Sequence, residues 1–87
     1  MPFDLPLPGV LHRQGWKVKI LDREALEEPH ATICFRTRKW RFGLRSRRFL
    51  DTRPDPGEVS SGVRQALDEH LDRLVEEGNQ RYPSNPV

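Results

Sequence analysis

Apolar and polar residues alternate through residues 15–21, GWKVKIL. Trp16, Val18 and Ile20 fall on one side and Lys17 and Lys19 on the other, the period of two of a half-buried strand. Residues 30–36, HATICFR, repeat it: Ile33 and Phe35 share one face, and Thr32, Cys34 and Arg36 share the other. From Trp40 the parity reverses. Trp40, Phe42 and Leu44 become the apolar set, and Lys39, Arg41, Gly43 and Arg45 the polar one. A reversal inside one strand needs a bulge. We therefore place a hairpin turn at residues 37–39 and a third strand over residues 40–45. A bulge at Gly43 or a turn over residues 43–46 is the alternative register. Residues 47–51 either continue the sheet or cross towards a helix, with Phe49 and Leu50 closing the core.

The period changes after residue 55. Asp55-Pro56-Gly57-Glu58 offers an N-cap acid, a proline at the first helical position and an acid where a capping box wants one. Val59, Val63, Ala66, Leu67, Leu71, Leu74 and Val75 then lie on one stripe, which predicts a helix of about 21 residues. Ser60, Ser61 and Gly62 weaken its first turns, so the regular part begins nearer Ser61. Gly78 is the expected C′ residue.

Other segments are less periodic. Residues 1–8 read as a proline-rich lead-in, and residues 9–15, with Val10, Leu11 and His12, as a short edge strand. Residues 22–28, DREALEE, read as a loop with one helical turn, ended by Pro29. Residues 79–87 read as a flexible tail, although Tyr82 within it could fold back. The fold class that follows is α+β. A mostly antiparallel sheet of three or four strands carries one long C-terminal helix on one face, in the order β-β-β-α, within a single domain over residues 9–78.

Composition adds limits. The 87 residues suffice for one modest core. The single cysteine, Cys34, excludes an internal disulfide and a cysteine-rich zinc site. The opening MPFDLPLPGV lacks a basic segment and a long apolar run, so the sequence predicts no signal peptide, no membrane span and a cytoplasmic protein.

Charge changes the picture more. Residues 36–53, RTRKWRFGLRSRRFLDTR, hold eight of the fifteen Lys and Arg residues and one of the thirteen acids, net +7; the remainder is net −5. On alternate positions of adjacent strands these cations form a basic plane on the sheet face away from the helix. Guanidinium groups grip phosphate oxygens in pairs, and serial contacts release counterions. The candidate anion-binding residues are Lys17, Lys19, Arg36, Arg38, Lys39, Arg41, Arg45, Arg47 and Arg48. Nucleic acid is the most concrete partner, tested by Arg41→Ala/Arg45→Ala. A register slipped by one would turn Trp40 and Phe42 to this face as platforms for bases. The competing account is that the acidic helix, with Glu58, Asp68, Glu69, Asp72, Glu76 and Glu77, neutralises the basic hairpin within the domain. The chain would then be a protein-binding module or a homodimer.

A three-stranded sheet backed by a C-terminal helix resembles, in element order, the DNA-reading domains of plant ethylene-response factors and of phage integrase arms, which lay the sheet in the major groove. Glu28-Pro29-His30-Ala31-Thr32, the following hairpin and the run from His70-Leu71 to Asn79 carry a second resemblance. They resemble a family of small uncharacterised bacterial proteins in which Pro-Pro-His-x-His opens a strand that leads to a hairpin and an acidic, leucine-rich helix. Here Glu28 stands for the first proline and Thr32 for the second histidine. That family is similar in size and genomic setting to toxin–antitoxin-type proteins; the resemblance implies the fold rather than an activity.

Other chemistry is thinner. His30 and Cys34, four apart on a strand, are about 13 Å apart, too far to share an ion. His70 falls between Leu67, Leu71 and Leu74 and reads as a boundary residue on the apolar side of the helix. Cys34, near Arg36 and the lysines, reads as a small half-buried strand residue, although cationic neighbours favour a thiolate. The six glycines form no phosphate loop, and the layout offers little depth for a catalytic pocket. The sequence thus predicts a non-enzymatic binding protein with no metal and no small-molecule cofactor.

Overall fold

In a computed structural model, which describes residues 3–21, 28–83 and 86–87, the chain is an α+β protein. Strands β1 (Phe3–Asp4), β2 (Trp16–Ile20), β3 (His30–Phe35) and β4 (Arg38–Gly43) form one antiparallel sheet in the order β1-β2-β3-β4. Helix α1 (Gly9–Gln14) joins β1 to β2; α2 (Ser61–Glu69) and α3 (Leu71–Arg81) follow β4. No helix among the described residues is long and apolar enough to cross a membrane.

The expected period of two sets the sheet. Trp16 pairs with Phe35, Val18 with Ile33, and Ile33 in turn with Trp40, so the apolar sets of three strands meet on one face. The parity reversal is resolved two residues earlier than expected. The turn is Arg36-Thr37, and β4 begins at Arg38 rather than at Trp40. A two-residue loop leaves Phe35 opposite Arg38 and carries the apolar face onto Trp40 and Phe42 without a bulge. Trp40 is fully buried, stacks on Trp16 at 5.9 Å and donates its indole N–H to the Asp55 carbonyl at 3.2 Å. It is therefore a core residue, not a platform for bases.

The expected edge strand over residues 9–15 is instead α1. Pro8 stands at its N-cap, and Gly15, at φ 100°, ends it by donating to the His12 carbonyl. A helix this short needs one anchor, which is the buried Leu11, so it shows no periodicity to read. The fourth strand comes from the proline-rich lead-in: Phe3 pairs with Ile20, Asp4 with Lys19, and Leu5 is buried.

The long helix is broken. Asp55 caps only a 3-10 turn over Pro56–Glu58, accepting from the Gly57 N–H at 2.9 Å. Ser60 caps α2 proper, accepting from the Val63 N–H at 3.2 Å. At His70, with φ −111° and ψ 18°, the helix is interrupted and α3 begins. This exposes His70, which the stripe had placed on the apolar side. Val63, Ala66 and Leu67 of α2 and Leu74 of α3 are buried. Gly78 is not a C′ residue: α3 continues to Arg81, and the glycine gives room to Leu44, whose Cδ1 would lie 3.1 Å from a Cβ there. Beyond the helix, Tyr82 is buried and Val87 packs against the core. The packed body thus reaches past residues 9–78 at both ends. The helical turn expected within residues 22–28 lies, apart from Glu28, outside the described residues.

Candidate anion-binding surface

The face away from the helices is ordered in rows. Lys17, Cys34 and Lys39 lie side by side across β2, β3 and β4; Lys19, Thr32 and Arg41 form the next row. Lys17 and Lys39, two strand spacings apart, are about 10 Å from each other at the backbone.

The two rows differ electrically. In the second, Arg41 is held by Asp51: its Nη2 donates at 2.8 Å, its Nε at 3.1–3.2 Å, and its backbone N–H at 2.9 Å. The Arg41 side chain, by hydrogen bonding first and then by charge, holds the Asp51 carboxyl below its ordinary value. Lys19 lies 3.8 Å from Asp4. Thr32, expected on a wet face, is 6% exposed between these two cations, and His30 is buried beside it in β3. Its Nδ1 lies 2.9 Å from the Glu28 carbonyl. The Glu28 carboxylate accepts from the Ser46 N–H and hydroxyl at 2.9 and 2.8 Å, which lowers its pKa, the backbone N–H contributing most. All three acids, Asp4, Glu28 and Asp51, serve this end of the sheet.

The other end is where β3 turns into β4. Lys17 and Lys39 lie there on the outer face, with Arg36 on the adjoining turn, all exposed. None makes an ion pair among the described residues; Arg36 lies 5.1 Å over the Phe35 ring with its backbone at φ 58°. Half-buried Cys34 sits between the two lysines.

The structure scatters the other expected residues. Arg38 is on the helix-side face, because β4 starts earlier, and pairs with Glu58 at 2.5 Å. Arg45 donates to the Pro86 carbonyl at 2.6 Å. Arg47 and Arg48 stand on the turn after β4, at the far end of the sheet from Arg36, and make no ion pair among the described residues. The nine candidates therefore form no continuous plane. Nor does the acidic helix neutralise the lysine row: Glu77 of α3 pairs with Arg73 and Arg81 of the same helix.

The described residues leave more concavity than the sequence implied. A depression of about 480 Å3 lies between β2 and the segment after β1, lined by Leu5, Trp16, Lys17 and His12 among others. One of about 350 Å3 lies beside Arg47 and Arg48. No group of three or more His, Cys, Asp or Glu among the described residues could hold a metal ion. No known protein family, curated protein or solved structure matches this chain.

Proposed function

We propose that the protein is a non-enzymatic binding module for a polyanion, nucleic acid being the class that fits, and that contact is made at the hairpin end of the exposed sheet face. The observation that carries this reading is the lysine row. Lys17 and Lys39, with Arg36 at the adjoining turn, are exposed and make no ion pair among the described residues, while Asp4, Glu28 and Asp51 serve the other end of the sheet. Cations with no partner in the protein need not be separated from one before meeting a phosphate, and each releases a counterion from the phosphate it meets.

The experiment is a titration of a mixed-sequence DNA duplex and an RNA hairpin at two salt concentrations. On duplex DNA the logarithm of affinity should fall with the logarithm of salt at a slope of about −0.9 per phosphate engaged. Lys17→Ala/Lys39→Ala should make that slope shallower by about 2 and leave the fold intact, since both side chains are exposed. Arg41→Ala/Arg45→Ala, the pair suggested by sequence, is a poor test because both side chains hold parts of the fold together. An unchanged slope in the lysine variant would refute the assignment. Absence of binding, with a concentration-dependent mass in sedimentation, would move it to a protein contact. The exposed Val10, beside Leu11 and Ala66, is the candidate surface for that outcome.

A further inference from the structure

Phe42 of β4, residues 47–49 and helix α2 enclose the open depression of about 350 Å3. Its apolar lining is Phe42, Phe49 and Leu67. The two rings meet edge to face with centroids 5.3 Å apart, and both are only half buried. Three guanidinium side chains line the same space, those of Arg47, Arg48 and Arg64, against one acid, Asp68.

We propose that this depression binds a small aromatic phosphate of the nucleoside monophosphate class. Arg64 is already oriented for the task. Its Nε donates to the Val59 carbonyl at 3.3 Å, its Nη2 donates to the Pro56 carbonyl, and its guanidinium lies 5.5 Å over the Phe49 ring. A guanidinium fixed in this way loses little freedom when it meets a phosphate, and its remaining N–H groups keep the fork geometry that phosphate oxygens accept. Arg47 holds φ at 59°, a left-handed backbone that L residues seldom adopt and that glycine adopts freely. A strained residue carrying a long cationic side chain at the rim of a pocket is where strain points to use. Neither Arg47 nor Arg48 makes an ion pair among the described residues, unlike Arg38 and Arg41. Asp68, one turn along α2 from Arg64, makes none with it, so its carboxylate stays available to accept from a sugar hydroxyl or an amino group. The half-buried rings offer the flat apolar surface on which a base stacks. The volume lies near the lower end of the range for small-molecule sites, which suits one nucleotide rather than a larger cofactor.

This site shares no residue with the lysine row, so the two assignments stand or fall separately. Isothermal titration of the full chain with AMP, adenosine and inorganic phosphate tests it. AMP should bind saturably, with adenosine and phosphate each at least tenfold weaker. Arg47→Gly/Arg48→Ala should lose at least tenfold in AMP affinity while its thermal midpoint holds or rises. Phe49→Leu, which keeps apolar volume but removes the ring, should weaken AMP more than phosphate. Lys17→Ala/Lys39→Ala should bind AMP like the parent. Failure of AMP to bind at millimolar concentration would overturn the proposal. So would phosphate binding as tightly as AMP, parent-like affinity in Arg47→Gly/Arg48→Ala, or loss of AMP binding in the lysine variant.

Discussion

Two arginines and one glycine show how far single residues are committed by their backbone. Arg36 and Arg47 both stand at left-handed φ, 58° and 59°. Such a backbone costs an L residue about 1–2 kcal/mol. Glycine removes that cost, but its greater freedom in the unfolded chain returns roughly 0.4–1 kcal/mol. Arg47→Gly should therefore stabilise the protein by up to about 1 kcal/mol in denaturant titration, and Arg36→Gly likewise less the small Phe35 ring contact. Gly43 is the opposite case. A Cβ there would overlap the Glu28 carboxylate and come within 2.5 Å of the Ser46 hydroxyl. Gly43→Ala should destabilise by about 1–3 kcal/mol, because the methyl displaces the carboxylate that ties the turn. The sequence offered a bulge at Gly43 as the alternative register; the reason for the glycine is a neighbour fifteen residues earlier, which no local pattern contains.

At the scale of elements, the edge of β4 is the most instructive. An edge strand exposes N–H and C=O groups to any passing strand. Here the returning chain covers them. The Gly43 N–H donates to the Arg48 carbonyl at 2.8 Å, the Leu50 N–H to the Arg41 carbonyl at 2.8 Å, and the Arg41 N–H to Asp51. Asp51→Ala uncovers part of this edge and removes the carboxylate that holds the Arg41 side chain. Since the two side chains are 36% and 23% exposed, water replaces part of the loss, and we expect a cost of about 1–2 kcal/mol. The pH dependence has a definite sign. Asp51 and Glu28 are held below their ordinary pKa values in the folded state, so their stabilisation is complete above the unfolded carboxyl pKa and is lost as pH falls through the folded one. Unfolding free energy should fall from about pH 5 downward. Asp51→Asn should flatten that fall; an equally steep profile in the variant would mean the pair contributes nothing. The break at His70 belongs to this scale too. The apolar stripe runs through it uninterrupted, and the interruption shows only in the backbone dihedrals of His70.

The whole molecule divides its charge differently from its sequence. The stretch of net +7 folds into a hairpin and a turn whose cations are scattered among separate partners and faces. Of the acids expected to face the basic sheet, Glu58 does pair with Arg38, but Glu77 pairs within its own helix: Arg73 and Arg81 share it, and both lie over the Phe3 ring at 5.2 and 5.7 Å. Through Phe3 and Tyr82 the two ends of the chain become part of one body. Tyr82→Ala should therefore cost on the order of 3 kcal/mol, a core-sized loss from a residue that reads as tail, measurable as a lowered thermal midpoint.

The sequence alone determined the α+β class, the apolar and polar faces of three strands and the stripe of the helices, whereas it put the helix cap at Asp55 and the structure has it at Ser60. The class, the faces and the stripe follow from periodicity, which acts over a few residues and survives in any register that buries the apolar face. Tertiary structure decided the rest. It set the turn at Arg36-Thr37, the strand at Phe3–Asp4, the helix at Gly9–Gln14 and the choice of which cations keep a free charge. An arginine is neutralised or left open according to which carboxylate the fold brings within about 4 Å. For Arg38 that partner is twenty residues away at Glu58; for Lys39, the next residue, the described chain brings none. Composition could count the cations of this surface, but only the pairing of distant segments could say which of them remain to meet a partner.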